Sequence, residues 1–127
     1  MPHSDEMKSW IDKGESDIES ARVLLENKPP LRDTAVFHCQ QAAEKYLKAY
    51  LIDQGVSFER SHNLVYLLDL CTEVDPSLAR LSEPAALLTP YAVLMRYPGR
   101  KLQPSQEEAD AAFNAASQVV AAVKELI

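Results

Sequence analysis

The densest group of basic side chains in the sequence surrounds a Tyr-Pro-Gly turn in the last third of the chain. Arg96, Arg100 and Lys101 carry the charge, and Tyr97 lies among them. Arginine and lysine bind phosphate, and a base can stack on an aromatic ring. The cluster therefore predicts contact with a nucleotide or an RNA phosphate. The same charges also suit a solvated helix end, where the helix dipole favours cations.

Two of the three histidines lie where they could add hydrogen-bonding groups to such a site. His38 falls within a long helical pattern, and His62 follows Arg60 at the start of another. A histidine can donate, accept or transfer a proton near neutral pH. Each also has a structural interpretation, His38 as a side chain hydrogen-bonded within the protein and His62 as a helix cap. His3, near the N-terminus, is given no role.

Other catalytic and metal-binding patterns are missing from the sequence. It contains no glycine-rich phosphate loop, no pair of metal ligands at helical spacing and no G-x-S-x-G motif. Cys39 and Cys71 form no C-x-x-C motif, and both lie in apolar helical patterns, so we interpret them as reduced core residues. We expect neither a metal nor a cofactor.

The composition is that of a single globular domain covering residues 1–127. Hydrophobic residues make up 46% of the chain and charged residues 25%, which excludes a disordered protein. The net charge of −6 excludes attraction to nucleic acid by the overall field. No signal peptide and no apolar run of membrane-spanning length is present, so we expect a cytoplasmic protein.

The spacing of apolar residues predicts an all-α fold, an up-and-down helical bundle of four long helices plus one short helix. Pro90 is expected to kink or interrupt one helix, and the S-x-x-E motif at Ser105 predicts a capping box at the start of the last helix. The helical patterns themselves divide into six segments, one more than this count, because a new helix start is predicted at Ser82. The segments are residues 4–26, 32–54, 62–73, 76–81, 82–97 and 105–127.

The helix containing VFHCQQAAEKYLKAYL, residues 36–51, has two different faces. A helical wheel assigns Val36, Cys39, Ala43, Tyr46, Leu47 and Tyr50 to the core. The opposite side mixes large apolar groups with amides and charges, a combination that protein interfaces tolerate. We interpret it as the interface of a twofold homodimer, with packing of Phe37 under a loop of its own chain as the alternative. The predicted interface residues are Phe37, Gln40, Gln41, Glu44, Lys48 and Leu51.

Residues 35–49, AVFHCQQAAEKYLKA, resemble the signature helix of the HEPN family (higher eukaryotes and prokaryotes nucleotide-binding domain). Residues 61–64, SHNL, resemble the start of the family's third helix, and residues 94–99, LMRYPG, resemble the segment that ends its fourth. The resemblance implies a helical bundle that commonly dimerises and is often paired with a small nucleotidyltransferase. Some members bind nucleotides, and others are metal-independent ribonucleases of toxin–antitoxin systems.

The ribonuclease members carry an R-x4-6-H motif, in which arginine and histidine meet at a dimer cleft. Arg96 matches the arginine, but residues 101–103, KLQ, occupy the places where the histidine would stand. This departure weighs against enzymatic activity. Arg32 and His38 have the same spacing elsewhere in the sequence, and we interpret that match as coincidence.

The basic cluster and the histidines, taken with the resemblance, predict a HEPN protein that binds a nucleotide or RNA phosphate. The resemblance further implies that it partners a small nucleotidyltransferase in a toxin–antitoxin-like pair. One alternative is a metal-independent ribonuclease with a non-standard site built from Arg96 and His62 or His38. Another is a structural dimeric subunit without a ligand. The predicted ligand-binding residues are Arg96, Tyr97, Arg100, Lys101, His38 and His62.

Overall fold

The computed structural model of the chain describes residues 4–94 and 103–127. Throughout these ranges it consists of helices and connecting loops without strands, which confirms the predicted all-α class. A 3-10 helix, Pro76–Leu81, follows the third α-helix. The α-helices are α1 (Asp5–Glu26), α2 (Arg32–Asp53), α3 (Leu64–Val74), α4 (Ser82–Leu88), α5 (Tyr91–Leu94) and α6 (Gln106–Leu126).

Short polar side chains begin three of these helices. The Ser4 hydroxyl accepts a hydrogen bond from a backbone N–H in the first turn of α1, and Ser105 forms the predicted capping box with Glu108. The predicted start of the third helix, residue 62, was wrong by two residues, since α3 begins at Leu64. Asn63, rather than His62, is the cap, because its side chain accepts hydrogen bonds from the first free backbone N–H groups.

The helix predicted over residues 82–97 is interrupted where proline was expected to interrupt it. α4 ends at Leu88 and α5 begins at Tyr91, with Pro90 between them. Among the described residues, the helices longer than 20 residues are therefore α1, α2 and α6, with 22, 22 and 21 residues.

α2 is the centre of the bundle, since it packs against α1, α3 and α6. All six side chains assigned to its core face are buried. The assignment of an outer face requires correction, because α2 is enclosed on nearly every side from Cys39 to Leu51. Of the six predicted interface residues, Phe37 is partly exposed, while its own chain buries Gln40, Gln41, Glu44, Lys48 and Leu51.

No helix in the described ranges is long and apolar enough to cross a membrane.

Candidate functional site

The loop between α2 and α3 places a histidine against a buried carboxylate. The Nδ1 atom of His62 lies 2.7 Å from the Oε1 atom of Glu44. The His62 side chain is 48% exposed, whereas that of Glu44 is 4% exposed. The Gln40 amide also donates a hydrogen bond to the backbone carbonyl of His62, at 3.0 Å. α2 therefore holds both the ring and the backbone of His62.

Glu44 is held in turn by a buried lysine. The Lys48 ammonium lies 3.1 Å from the Oε2 atom of Glu44, one helical turn away, and its side chain is 7% exposed. It also lies 5.3 Å from the centre of the Trp10 ring and 6.0 Å from that of Phe58. These rings attract a cation while they exclude water. The two opposite charges lie together in the interior, where each offsets the cost of burying the other.

The two glutamines of α2 complete this polar network. Gln40 donates from Nε2 to Oε1 of Glu44 at 3.2 Å, and Gln41 donates to Oε1 of Gln40 at 2.7 Å. Within the described part of the chain, no buried side-chain nitrogen or oxygen lacks a hydrogen-bond partner. A fully satisfied buried network of this kind rigidifies the groups that it contains.

The contact constrains which nitrogen of His62 carries hydrogen. An ionised carboxylate only accepts hydrogen bonds, so a hydrogen bond to Glu44 in that state requires hydrogen on Nδ1 of His62. Nε2 is then the nitrogen available for other contacts. It accepts a hydrogen bond when the ring is neutral and donates one when the ring is protonated.

His38 belongs to a second arrangement of the same kind. Its Nδ1 atom lies 2.8 Å from the Oδ1 atom of Asp17, and the Lys45 ammonium donates to the other oxygen of that carboxylate. Asp17 is buried, and the His38 side chain is 28% exposed. His38 is therefore hydrogen-bonded within the bundle through Nδ1, and its role in ligand binding stays a prediction.

His38 also borders a surface groove between α1 and α2. The groove has a volume of about 450 Å³ and combines hydroxyl groups and the Glu19 carboxylate with aliphatic side chains. Its lining includes Ser16, Ser20, Val23, Leu24, Thr34 and His38.

A third polar cluster joins α1, α2 and α6. The Lys124 ammonium and the Tyr46 hydroxyl both donate to the Glu15 carboxylate, and these hydrogen bonds lower the pKa of Glu15. Burial, together with the same carboxylate, raises the pKa of Tyr46. We assign this cluster a structural role, because Tyr46 is wholly buried in the core.

The predicted ligand-binding residues are only partly described. Arg96, Tyr97, Arg100 and Lys101 lie outside the described residues. Of the other two, His62 and His38 contact different carboxylates, on α2 and α1 respectively. Across residues 4–94 and 103–127, no three side chains of the types that bind metals are grouped to hold an ion.

Sequence reasoning missed Asp17 and the burial of Glu44 and Lys48. Asp17 had a usable signal, since it lies on the apolar stripe of α1 between Gly14 and Ala21, where a charge needs a partner. Glu44 and Lys48 look like an ordinary surface pair at i,i+4 spacing. Their burial depends on Trp10 and Phe58, which come from other parts of the chain.

Comparison with known sequences matches this chain to one family. The sequence model of the HEPN domain covers residues 7–126. A relative from Methanocaldococcus jannaschii, named "Putative toxin MJ1304", is 30% identical over an alignment of 135 residues. The alignment covers 94% of this chain and 87% of the relative.

Two solved structures share the fold. ST0689, described as an archaeal HEPN homologue, superposes with a TM-score of 0.75 at 28% identity, covering 94% of this chain and 96% of that one. TT1696 from Thermus thermophilus superposes with a TM-score of 0.78 at 25% identity, covering 98% of this chain and 100% of that one. The similarity extends over the whole bundle in both cases.

Proposed function

This chain belongs to the HEPN domain family, and we propose that it binds a nucleotide or RNA phosphate as one member of a toxin–antitoxin-like pair. The family match over residues 7–126 and the relative named as a toxin support membership of a toxin–antitoxin-like pair. The proposal includes a homodimer and a small nucleotidyltransferase as the partner protein.

The observation that carries the proposal is the anchored, half-exposed His62. Its Nδ1 is committed to Glu44, so Nε2 is the group that a ligand would meet. A protonated imidazole donates from Nε2 to a phosphate oxygen, and the exposed Arg60, two residues earlier, adds positive charge. Lys48 offsets the charge of Glu44, which reduces the repulsion that an approaching phosphate would meet.

The remaining contacts are assigned to the basic cluster and to the second histidine. Arg96, Arg100 and Lys101 would bind phosphate, and Tyr97 would stack on the base. His38 would donate a further hydrogen bond from the ring nitrogen that Asp17 does not engage. In a homodimer these groups would come together from two protomers.

A calorimetric titration with ATP, and with a short single-stranded RNA, tests this function. We expect saturable binding that weakens as salt is added, because phosphate contacts release counterions. Arg96→Ala should abolish binding, and His62→Ala should weaken it about tenfold. Arg22→Ala is the matched control, since Arg22 is an exposed arginine paired with Glu19 and Glu26 on α1. Absence of binding to both ligands would reject the function and favour a structural subunit.

The homodimer is tested separately by sedimentation at micromolar concentration. We expect the mass of two chains. Because five of the six interface residues first assigned are buried by their own chain, Phe37 is the one retained for the proposed contact. A monomer mass at that concentration would contradict the dimer.

A metal-independent ribonuclease is the second candidate, favoured by the Glu44–His62 pair. A carboxylate that orients a histidine is a recurrent device for proton transfer, although the R-x4-6-H histidine is missing after Arg96. The test is cleavage of RNA in the presence of a chelator. Cleavage lost in both Arg96→Ala and His62→Ala would replace the binding function with this one. No cleavage at high protein concentration would exclude it.

A further inference from the structure

We propose that Glu44 is a positioning residue: it keeps hydrogen on Nδ1 of His62 and thereby presents Nε2 to the phosphate of the ligand. This inference rests on the proposed function for its ligand. The orientation of His62 follows from contacts in the structure, and it can be measured without any ligand.

The Glu44 carboxylate is fixed at both of its oxygens. Oε1 lies 2.7 Å from His62 Nδ1 and accepts from Gln40 Nε2 at 3.2 Å, while Oε2 faces the Lys48 ammonium at 3.1 Å. With three donors on two oxygens, the carboxylate has one stable orientation. The position of its Oε1 atom then determines the position of the imidazole ring.

The backbone of His62 is fixed by the same helix. Gln40 donates from one Nε2 atom both to the His62 carbonyl, at 3.0 Å, and to Glu44. Gln40 is itself buried, and Gln41 donates to its side-chain oxygen. Movement of the loop away from α2 would therefore leave buried polar groups unpaired, which costs free energy.

A purely structural hydrogen bond does not explain why the ring stays accessible. The His62 side chain is 48% exposed, and Nε2 has no hydrogen-bond partner among the described residues. Glu44 and Lys48 could satisfy each other without a histidine. The buried polar groups of the network thus hold one exposed imidazole in a defined orientation. Preorganised binding sites hold their ligand-contacting groups in the same way.

The Asp17 arrangement supplies an internal reference. There too, a buried carboxylate bonds the Nδ1 of a histidine with one oxygen and a lysine ammonium with the other. Because His38 does not contact Glu44 or Lys48, a change made at those two residues should leave the hydrogen on Nδ1 of His38.

The experiment is a long-range ¹H–¹⁵N correlation spectrum of the imidazole rings, recorded on the full chain at a pH where they are neutral. A neutral imidazole without a fixed partner in water carries its hydrogen mainly on Nε2. A carboxylate hydrogen-bonded to Nδ1 favours hydrogen on Nδ1 instead. The test variant is the double replacement Glu44→Met with Lys48→Met. It removes both buried charges together, and methionine suits the contacts with Trp10 and Phe58.

We expect hydrogen on Nδ1 of His62 in the unaltered protein and on Nε2 in the double variant, with His38 unchanged in both. ATP binding should weaken about tenfold in the double variant, as in His62→Ala. Hydrogen on Nε2 of His62 in the unaltered protein would overturn the inference even if the variant failed to fold. So would an unchanged tautomer, or unchanged ATP affinity, in the folded double variant.

Failure of the proposed function gives a different pattern. Hydrogen on Nδ1 of His62, together with no binding of ATP or RNA, would retain Glu44 as the residue that orients His62. The same result would reject a phosphate ligand, and therefore also the claim that Nε2 of His62 contacts one.

Discussion

Glu44 and Lys48 form an ion pair one turn apart on α2, with side chains that are only 4% and 7% exposed. Helical pairs at this spacing usually lie in water and contribute little to stability. Here Trp10 and Phe58 cover the lysine, and His62 covers one oxygen of the carboxylate. The buried pair therefore supports the candidate site from inside the bundle.

Removing one partner of this pair should destabilise the fold strongly. Lys48→Met leaves the Glu44 carboxylate buried without its cation, and we expect the free energy of unfolding to fall by about 3–5 kcal/mol. Denaturation in urea measures the change. The double variant Glu44→Met with Lys48→Met is the control, since it leaves no unpaired charge and should be much closer to the original stability. A single variant within about 1 kcal/mol of the original would contradict the buried pair.

Gly14 makes room for Tyr46, so Gly14→Ala should also be destabilising. A Cβ atom at position 14 would lie 2.7 Å from the Cδ2 and Cε2 atoms of the Tyr46 ring, which is wholly buried. Overpacking costs about 1–3 kcal/mol and should outweigh the gain in helix propensity of up to about 1 kcal/mol. Ser16→Ala, at an exposed position of the same helix, is the control. Thermal unfolding of Gly14→Ala at or above the original midpoint would refute this close approach.

Stability should fall on the alkaline side, because the two cysteines are buried as thiols. Burial raises the pKa of Cys39 and of Cys71 from 9.0 to about 12. The folded state thus keeps protons that the unfolded state has lost, and the free energy of unfolding decreases as pH rises from about 9 towards 12. Over the first pH unit above 9.0, the free energy of unfolding should fall by ~1 kcal/mol for each thiol.

Urea unfolding at a series of alkaline pH values measures this loss. The burial of Tyr46 adds to it, since the pKa of this phenol is also raised. A variant with alanine at both cysteines should be less stable at neutral pH, and its free energy of unfolding should fall less as pH rises. An equally steep fall in that variant would show that the thiols do not cause the alkaline loss of stability.

The features predicted correctly from sequence are those that act locally. Pro90 interrupts a helix because it lacks an N–H group, and Ser105 caps a helix through contacts within one turn. The start of α3 was harder, because Ser61 and Asn63 are both good caps and only the folded loop shows which side chain reaches the free N–H groups.

The candidate site depends on contacts that no local pattern contains. The helical wheel assumes one buried face, but α2 is surrounded by α1, α3 and α6, so residues on its supposed outer face lie inside. His62 could be named from the sequence as a candidate, whereas its bond to Glu44 spans 18 positions and requires the fold. The same holds for Asp17 and His38, which are 21 positions apart.

Titration of ¹⁵N-labelled protein with ATP tests the central claim most directly, because it shows both whether a nucleotide binds and where. We predict saturable shifts of the His62 ring signals, of backbone signals in residues 59–63 and of the Arg96 side chain, with no shift at Arg22 on the exposed face of α1. Spectra unchanged up to millimolar ATP, or shifts confined to residues away from His62 and Arg96, would contradict the claim.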